Sequence, residues 1–489
     1  MFLGIVTDVY RKFKGSLKRD ENFVLWCSLA LYTLVFFSVN NKTLLILFLV
    51  FLFIFYRRLK SFPLALFIIF LLFLPFHKGK SFDFTLLPSW KIEADRPYTF
   101  GYAITFSDLA FLLLFYWFLR SEMLKIRIGR SLQFLKGDFF LLAFMVSVFI
   151  SVLLSPISLV SFLAYVKIVE AIAIYFLMRK LFREKKVARY FPIAFVASAS
   201  FQAIWSALQF SLKRPLGKSI EPITGRFSVY GHAAIEDLSF FRAQGTFDHP
   251  NTLGVFSTIL FCYFLVVCFT PGMSAFYKKI YLTGLVASFL SLLLSASRVS
   301  WGVGFVFIPL VIIFFRFKGL SISPYMKRLL KVITILSVLF LPVLILPRLS
   351  HLYQTFTLGG GFSYRTALMR MGFTLARTQP LGIGLVNFPV AIVNIFHFQS
   401  WPAPIHNLLM EILVETGVLS LLLFLLFLIY SYRSYVNMIS ERIPRSEYFM
   451  KTGGLFASLG FFILANFYPF LWSSNIFAYF WLFLASMLY

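Results

Sequence analysis

Long apolar runs, separated by short polar segments, recur along the whole chain. Runs of roughly 17 to 25 apolar residues are typical of membrane-spanning helices. On this basis we predict fourteen spans, the second and third of them short enough to be partly re-entrant. The spans lie near 23–39, 43–56, 62–76, 104–119, 138–154, 157–178, 191–211, 250–270, 280–295, 300–315, 332–346, 406–430, 452–468 and 474–488. The pattern therefore predicts an all-α polytopic membrane protein that forms a single integral membrane domain, 1–489.

The composition supports a membrane protein and argues against a soluble nucleic-acid-binding protein. Of the 489 residues, 60% are hydrophobic, 20% aromatic and only 13% charged, and no soluble domain has enough interior to bury so much apolar surface. The formal net charge of +27 would suggest a nucleic-acid partner in a soluble protein. Lysine and arginine are, however, concentrated in the cytoplasmic loops of membrane proteins. We therefore expect membrane lipids around the chain and no nucleic-acid partner.

The distribution of basic residues predicts the orientation in the membrane. With the N-terminus inside, 30 of the 46 lysines and arginines fall in the inner segments, as the positive-inside rule requires. Both termini are then cytoplasmic, and three long loops, 77–103, 212–249 and 347–405, lie outside. Each basic residue that remains outside runs against this bias.

The longest outer loop, 347–405, contains a predicted helix from Ser363 to about Arg377. One face of this helix is apolar and carries Ala367, Leu368, Met371 and Leu375. The glycines of Pro380-Leu381-Gly382-Ile383-Gly384 end it. An amphipathic helix lying on the outer leaflet above a cavity fits this pattern.

Three outer arginines, Arg242, Arg298 and Arg365, are candidate ligand-binding residues. Arg298 lies in a very short turn between two apolar spans, so its guanidinium is close to the membrane boundary. A guanidinium matches phosphate oxygens in a bidentate way, and two or three of them converging there indicate a diphosphate ligand. The alternatives are that Arg298 extends to lipid headgroups and that Arg242 pairs with Glu236 or Asp237.

All six histidines are predicted to lie outside the hydrocarbon core on the outer side, and His406 opens the run that becomes the span 406–430. An imidazole with a pKa of roughly 6.5 suits general-base catalysis near neutral pH. We expect the helix N-terminus and the arginines to favour its neutral form. Alternatively, His406 only hydrogen-bonds local backbone. Glu411 and Glu415 share a helix face and either order the arginines or pair with them structurally.

Other features narrow the chemistry. Lys167 and Glu170, three residues apart within one span, are predicted to form an internal ion pair, although such charges also line substrate paths. The sequence has no Asp-x-Asp motif, no glycine-rich phosphate loop with a lysine and no serine hydrolase motif. We therefore expect no metal, no cofactor and no nucleotide.

Taken in order, these segments resemble the O-antigen ligase/O-antigen polymerase family of bacterial membrane glycosyltransferases. The resemblance covers about 240–430, the expected family-like catalytic core, and its most specific part is the His-Asn pair after a long outer loop. The segments are Arg242…Gly245-Thr246-Phe247…Pro250-Asn251, Ser297-Arg298…Trp301, Arg365…Pro380-Leu381-Gly382-Ile383-Gly384 and His406-Asn407…Glu415-Thr416-Gly417. Because such ligases usually have about twelve spans, we expect 12–14 transmembrane helices here.

The resemblance implies a substrate and a place. A glycan on a polyprenyl diphosphate would be transferred, with inversion and without a metal, to an acceptor hydroxyl such as that of lipid A-core. The reaction would occur on the periplasmic face of the bacterial inner membrane. His406 would activate the hydroxyl, Arg242 and Arg298 would bind the diphosphate, and Arg365 would add a phosphate or glycan contact. We expect Asn407, Glu411, Glu415 and Asn251 to support them.

Several functions remain open from the sequence. Within the family, the acceptor could be lipid A-core (a ligase), a second lipid-linked glycan (a polymerase) or a protein hydroxyl (an O-oligosaccharyltransferase). Outside it, fourteen spans and the Lys167–Glu170 pair would suit a flippase or exporter of lipid-linked glycans. The candidate residues are concentrated at the outer boundary, whereas a flippase should carry charges along the depth of a cavity. We therefore favour the enzyme.

Overall fold

A computed structural model describes most of the chain. The described residues are 20–38, 40–76, 79–88, 98–126, 134–217, 241–318, 328, 330–332, 334–335, 361–397, 403–440, 443–468 and 474–489. Most of the predicted span 332–346 and both Glu236 and Asp237 lie outside them, as does part of the loop 347–405.

Within these residues the chain forms sixteen helices and two strands. The helices are α1 (Asp20–Phe37), α2 (Asn41–Leu59), α3 (Phe62–Phe73), α4 (Phe106–Ile126), α5 (Lys136–Leu153), α6 (Ser158–Leu181), α7 (Lys185–Leu212), α8 (Pro250–Val267), α9 (Ala275–Leu294), α10 (Arg298–Phe317), α11 (Gly361–Thr378), α12 (Phe388–Phe396), α13 (Leu408–Thr416), α14 (Val418–Ser440), α15 (Arg445–Ala465) and α16 (Ser474–Leu488). The strands are β1 (Gly79–Leu87) and β2 (Tyr98–Thr105).

The prediction of an all-α polytopic membrane protein is confirmed. Nine of the described helices are long and apolar enough to cross a membrane, and two further apolar segments, Phe62–Phe73 and Ile476–Leu488, are shorter. Helix α8 is the centre of the bundle: it is almost completely buried and packs against α15, α9 and α10. Its Gly254 allows the close approach of α10, since an added Cβ would lie 2.7 Å from Ser300 Oγ.

One element in the outer loop 77–103 was not predicted. Strands β1 and β2 pair antiparallel in a two-stranded sheet, with Phe82 opposite Tyr102 and Phe84 opposite Phe100. Apolar and polar residues alternate along both strands, which is the period of a strand with two different faces. The hairpin runs directly into α4.

The predicted span 406–430 is wrong as one continuous helix. Helix α13 ends at Gly417, whose φ of 92° is left-handed, and α14 begins at the next residue. The amphipathic helix predicted in the long loop is confirmed as α11, with Leu368 and Leu375 buried against α13 and α12. Helices α11, α12 and α13 therefore form a small layer at one end of the bundle.

The internal ion pair of α6 is also confirmed, with a third member. Lys167 Nζ lies 2.9 Å from Glu170 Oε2 and 2.8 Å from Asp108 Oδ2 at the start of α4. All three side chains are mostly buried, so the charges compensate one another inside the bundle. This pairing explains how a lysine is tolerated within a spanning helix.

Candidate active site

The segment before α8 is held by two buried glutamines of α7. Gln209 accepts hydrogen bonds through Oε1 from the backbone N–H groups of Gln244 (3.1 Å) and Gly245 (2.8 Å). Two turns earlier on the same face of α7, Gln202 Oε1 accepts from the N–H of Thr246 (3.1 Å). Sequence reasoning missed both glutamines. Two amides seven residues apart on one face of a spanning helix are the signal that could have found them.

Gly245 is required at the centre of this contact. Its φ is 63°, and an added Cβ would lie 2.3 Å from Gln202 Oε1. We expect Gly245→Ala to lower the melting temperature and to reduce activity roughly 10- to 100-fold, because small displacements of reacting groups are costly. Gly217→Ala is the matched control, since Gly217 also has a positive φ, 67°, but an added Cβ there would meet no described atom within 4 Å. Equal effects of the two changes would contradict the packing argument.

Arg242 is fixed by this segment against the start of α10. Its Nε donates to the carbonyl of Ser295 (3.2 Å), and its Nη2 donates to Oδ1 of Asn251 (2.6 Å). The backbone N–H of Ala243 also donates to the carbonyl of Leu294 (3.1 Å). The structure thus brings the predicted residues Arg242 and Asn251 together beside the turn that precedes Arg298.

Tyr468, just after α15, connects this turn to the outer-loop helix. Its hydroxyl shares a hydrogen bond with Ser297 Oγ (2.8 Å), and the same hydroxyl lies within electrostatic range of Arg242 and Arg365. No motif pointed to Tyr468. A tyrosine at the outer end of a predicted span is common in membrane proteins, so its position alone gave no signal.

His406 lies directly before α13, and its environment strongly favours the neutral imidazole. Burial lowers the pKa of His406 to about 4, with further contributions from the charges of Arg365 and His249. We expected the helix N-terminus and the arginines to favour the neutral ring; burial is the main cause, and Arg365 contributes. Nδ1 of His406 is buried and makes no hydrogen bond within the described part of the chain.

A second histidine, His249, belongs to the same cluster and was missed as a site residue. Burial and the charge of Arg242 lower the pKa of His249 to about 4, opposed by Asp248. Its Nδ1 accepts the backbone N–H of Asn251 (3.0 Å), which assigns the proton of the neutral ring to Nε2. His249 therefore caps α8 and is neutral near pH 7.

Asn407 has a structural role next to His406. Its Oδ1 accepts the backbone N–H of Met410 (2.9 Å), which caps the N-terminus of α13. Its Nδ2 donates to the carbonyl of Asn466 (3.5 Å), two residues before Tyr468. In the His-Asn pair, His406 is the titratable group, and Asn407 fixes the backbone at the start of α13 next to it.

The three predicted arginines differ in their surroundings. Arg242 is half-buried, whereas Arg365 is exposed on α11 and close enough to His406 to lower its pKa. Arg298 is exposed at the first position of α10 and makes no hydrogen bond or ion pair with another described residue. The charge of Arg242 thus acts on His249 and that of Arg365 on His406, whereas Arg298 acts on neither histidine.

The expected role of Glu415 is wrong. Its carboxylate neither orders nor pairs with an arginine: Oε2 accepts the backbone N–H of Val386 and Oε1 that of Phe388, each at 3.0 Å. Phe388 is the first residue of α12, whose unpaired N–H groups a carboxylate stabilises, and Val386 lies two residues before it. Glu415 is fully buried and Glu411 lies one turn earlier on the same buried face. Glu415 thus supports the scaffold of the outer layer.

The glycines of the two last motifs fit against each other. The N–H of Gly384 donates to the carbonyl of Glu415 (2.9 Å), and the N–H of Val418 donates to that of Pro380 (3.0 Å). An added Cβ at Gly382 would lie 2.5 Å from the carbonyl oxygen of Glu415, and one at Gly417 would lie 2.6 Å from that of Pro380. The two motifs therefore pack directly against each other.

A substitution at Glu415 distinguishes a structural role of this residue from a catalytic one. In Glu415→Gln the amide NH₂ replaces one acceptor of two buried N–H groups, which costs about 1–3 kcal/mol of stability. We expect a lower melting temperature and nearly normal activity per folded molecule. Glu184→Gln, at an exposed glutamate, is the control. A loss of more than a hundredfold in activity per folded molecule would contradict a purely structural role.

The comparisons agree with the resemblance drawn from the sequence. Residues 283–425 match the family model described as O-antigen ligase. No curated protein sequence matches the chain. The matched stretch includes Arg298, Arg365 and His406, while Arg242 and Asn251 precede it. The described residues contain no group of three or more histidine, cysteine, aspartate or glutamate side chains that could hold a metal ion. Residues 283–425 of this multi-pass membrane protein are thus similar to the O-antigen ligase family.

Proposed function

We propose that the protein transfers a glycan from a polyprenyl diphosphate to an acceptor hydroxyl, with lipid A-core as the first candidate acceptor. The family match supports a reaction of the ligase or polymerase type. The observation that carries the proposal is the convergence of neutral His406 with Arg242 and Arg365 at one end of the bundle. In the orientation predicted from the basic loops, this end is the periplasmic face of a bacterial inner membrane.

The arginines would stabilise the leaving diphosphate. Charge grows on its bridging oxygen as the glycosidic bond breaks, and preorganised cations at that point lower the barrier. Arg242 is held in place by Ser295 and Asn251, which supplies the preorganisation. Exposed Arg365 has its guanidinium available for the second phosphate or for the glycan, and Arg298 borders the same turn. In this proposal the arginines take the part that a divalent cation plays in nucleotide-sugar transferases.

His406 would act as the general base. The acceptor hydroxyl attacks the anomeric carbon from the face opposite the diphosphate, and His406 takes its proton, so that the configuration inverts. A pKa of about 4 keeps the ring neutral and able to accept a proton. A bound diphosphate adds negative charge beside Arg365 and therefore raises the pKa of His406 toward the working pH. The base thus becomes stronger only when the donor is bound.

This coupling predicts the pH dependence. Since kcat/KM reports the free protein, we expect it to be flat from neutral pH downward and to fall only as His406 is protonated near pH 4. The acid limb of kcat, which reports the donor complex, should lie at a higher pH. Both profiles are measured after a check that protein held at the acidic pH regains full activity at pH 7. Limbs at the same pH would contradict the coupling.

The acceptor is decided by direct assay. Purified full-length protein is given a polyprenyl-diphosphate glycan and, separately, lipid A-core, a second lipid-linked glycan or a serine-containing protein, each with and without EDTA. We expect EDTA-resistant transfer to lipid A-core. Transfer only to the second glycan would make the protein a polymerase, and transfer only to protein would make it an O-oligosaccharyltransferase. Transfer abolished by EDTA and restored by a divalent cation would contradict the metal-independent reaction.

A further inference from the structure

A cavity of about 970 Å³ opens at the end of the bundle opposite the candidate site. Helices α7 and α8 connect the two places: Arg189 borders the cavity and Gln209, twenty residues later in α7, holds the site segment. At 1.5 Å per residue the separation along α7 is about 30 Å. The cavity is therefore a separate site that the proposed transfer reaction does not use.

Its lining combines positive charge with an apolar wall. Four basic residues border it, namely Arg183, Lys185, Arg189 and Arg445. The wall between them is formed by apolar side chains such as Phe182, Val267 and Met450. A soluble anion would need only the charges, whereas a molecule with a charged head and a hydrocarbon part uses both.

Most of this charge is not compensated by the protein. Arg189 is paired with Glu21 at 2.9 Å, and the hydroxyl of Tyr277 also donates to that carboxylate (3.1 Å). The acidic group of the lining, Glu447, lies 3.6 Å from Lys451. The other three basic groups are exposed and form no ion pair with the described residues. They are Arg183, Lys185 and Arg445.

The backbone adds to the positive potential. Helices α7, α9 and α15 all begin at the rim of the cavity, and none of their first turns is capped by a side-chain hydrogen bond. Their first N–H groups and the positive ends of their dipoles therefore remain available to an anion. Basic residues alone are expected at a cytoplasmic surface, but here they converge on a cavity with an apolar wall.

We infer that this cavity binds the headgroup of an anionic phospholipid. The phosphate lies among Arg183, Lys185 and Arg445, and the start of the acyl chains packs on the apolar wall. In the proposed orientation this end of the bundle is cytoplasmic, at the depth of the lipid headgroups. Basic pockets between transmembrane helices on that side bind anionic headgroups in this way.

The test uses full-length protein in a neutral detergent. Dioctanoyl phosphatidylglycerol is titrated and the melting temperature followed, in parallel with dioctanoyl phosphatidylcholine and inorganic phosphate. The cavity variant is Arg183→Gln/Lys185→Gln/Arg445→Gln. The matched control, Lys186→Gln/Lys278→Gln/Lys279→Gln, removes the same charge from exposed residues that do not line the cavity.

We expect a saturable rise in melting temperature with phosphatidylglycerol for the wild type and the control. The cavity variant should need at least tenfold more lipid. An unchanged titration of the cavity variant, an equal response to phosphatidylcholine, or an equal response to phosphate alone would each overturn the inference. If the triple variant is unstable, the single variant Lys185→Gln and the phosphatidylglycerol retained in native mass spectrometry decide the question.

Discussion

Replacing His406 by alanine is expected to reduce glycan transfer by about 100- to 10,000-fold, the usual contribution of a general base. The imidazole is kept neutral by burial and by the charge of Arg365, so its removal deletes the proton acceptor. The binding of the lipid-linked donor should change little, since it depends on the arginines. Initial rates at saturating donor, and donor affinity measured separately, distinguish the two effects.

Two variants control for this result. His397→Asn changes an exposed histidine at the end of α12, in a left-handed conformation that asparagine tolerates, and we expect normal activity. His406→Gln keeps the size and polarity of the side chain without its basicity, so it should be as inactive as the alanine variant. A His406→Ala protein that retains more than half of the wild-type rate would rule out the general-base role.

Removing the charge of Arg365 is expected to have the second-largest effect. A hydrogen bond to a charged group contributes about 1.5–3 kcal/mol, which corresponds to roughly a 10- to 150-fold loss in kcat/KM for Arg365→Gln. The same change removes a charge that lowers the pKa of His406. The acid limb of the kcat/KM profile should therefore move to higher pH.

Arg370→Gln provides the matched control for that experiment. Arg370 is an exposed arginine on the same helix, α11, and it is not among the charges that act on His406. We expect neither the loss in kcat/KM nor the displaced acid limb. The two-part response of Arg365→Gln separates a contact in the site from a general loss of positive charge. Identical behaviour of the two variants would show that Arg365 has no specific place there.

The membrane class and the outer-loop helix followed from hydrophobic periodicity, because burial in lipid or against a core leaves a clear period in the sequence. The β1–β2 hairpin also has a periodic pattern, the alternation around Phe82 and Phe84, and a search for strand-like alternation would have found it. The break at Gly417 has no such pattern in the sequence. It depends on the carbonyl of Pro380, which approaches from a segment distant in the chain.

Residue types predicted the candidate chemistry better than they predicted its partners. Arginines on the outer side and a histidine before a helix led to the candidates Arg242, Arg298, Arg365 and His406, whose roles stay predictions. Glu415 was misjudged because a carboxylate near arginines suggests an ion pair, while its partners are the backbone N–H groups of Val386 and Phe388, at and just before the start of α12. His249 and Tyr468 were missed because only tertiary packing brings them to the site.

The most direct test of the account measures transfer and lipid movement in the same vesicles. Proteoliposomes containing the wild type or His406→Ala receive a labelled polyprenyl-diphosphate glycan and lipid A-core, and both the glycosylated product and donor scrambling between leaflets are quantified. We predict product from the wild type, a loss of at least 100-fold in the variant, and no scrambling in either. Scrambling that survives the substitution, without product from the wild type, would instead show a flippase.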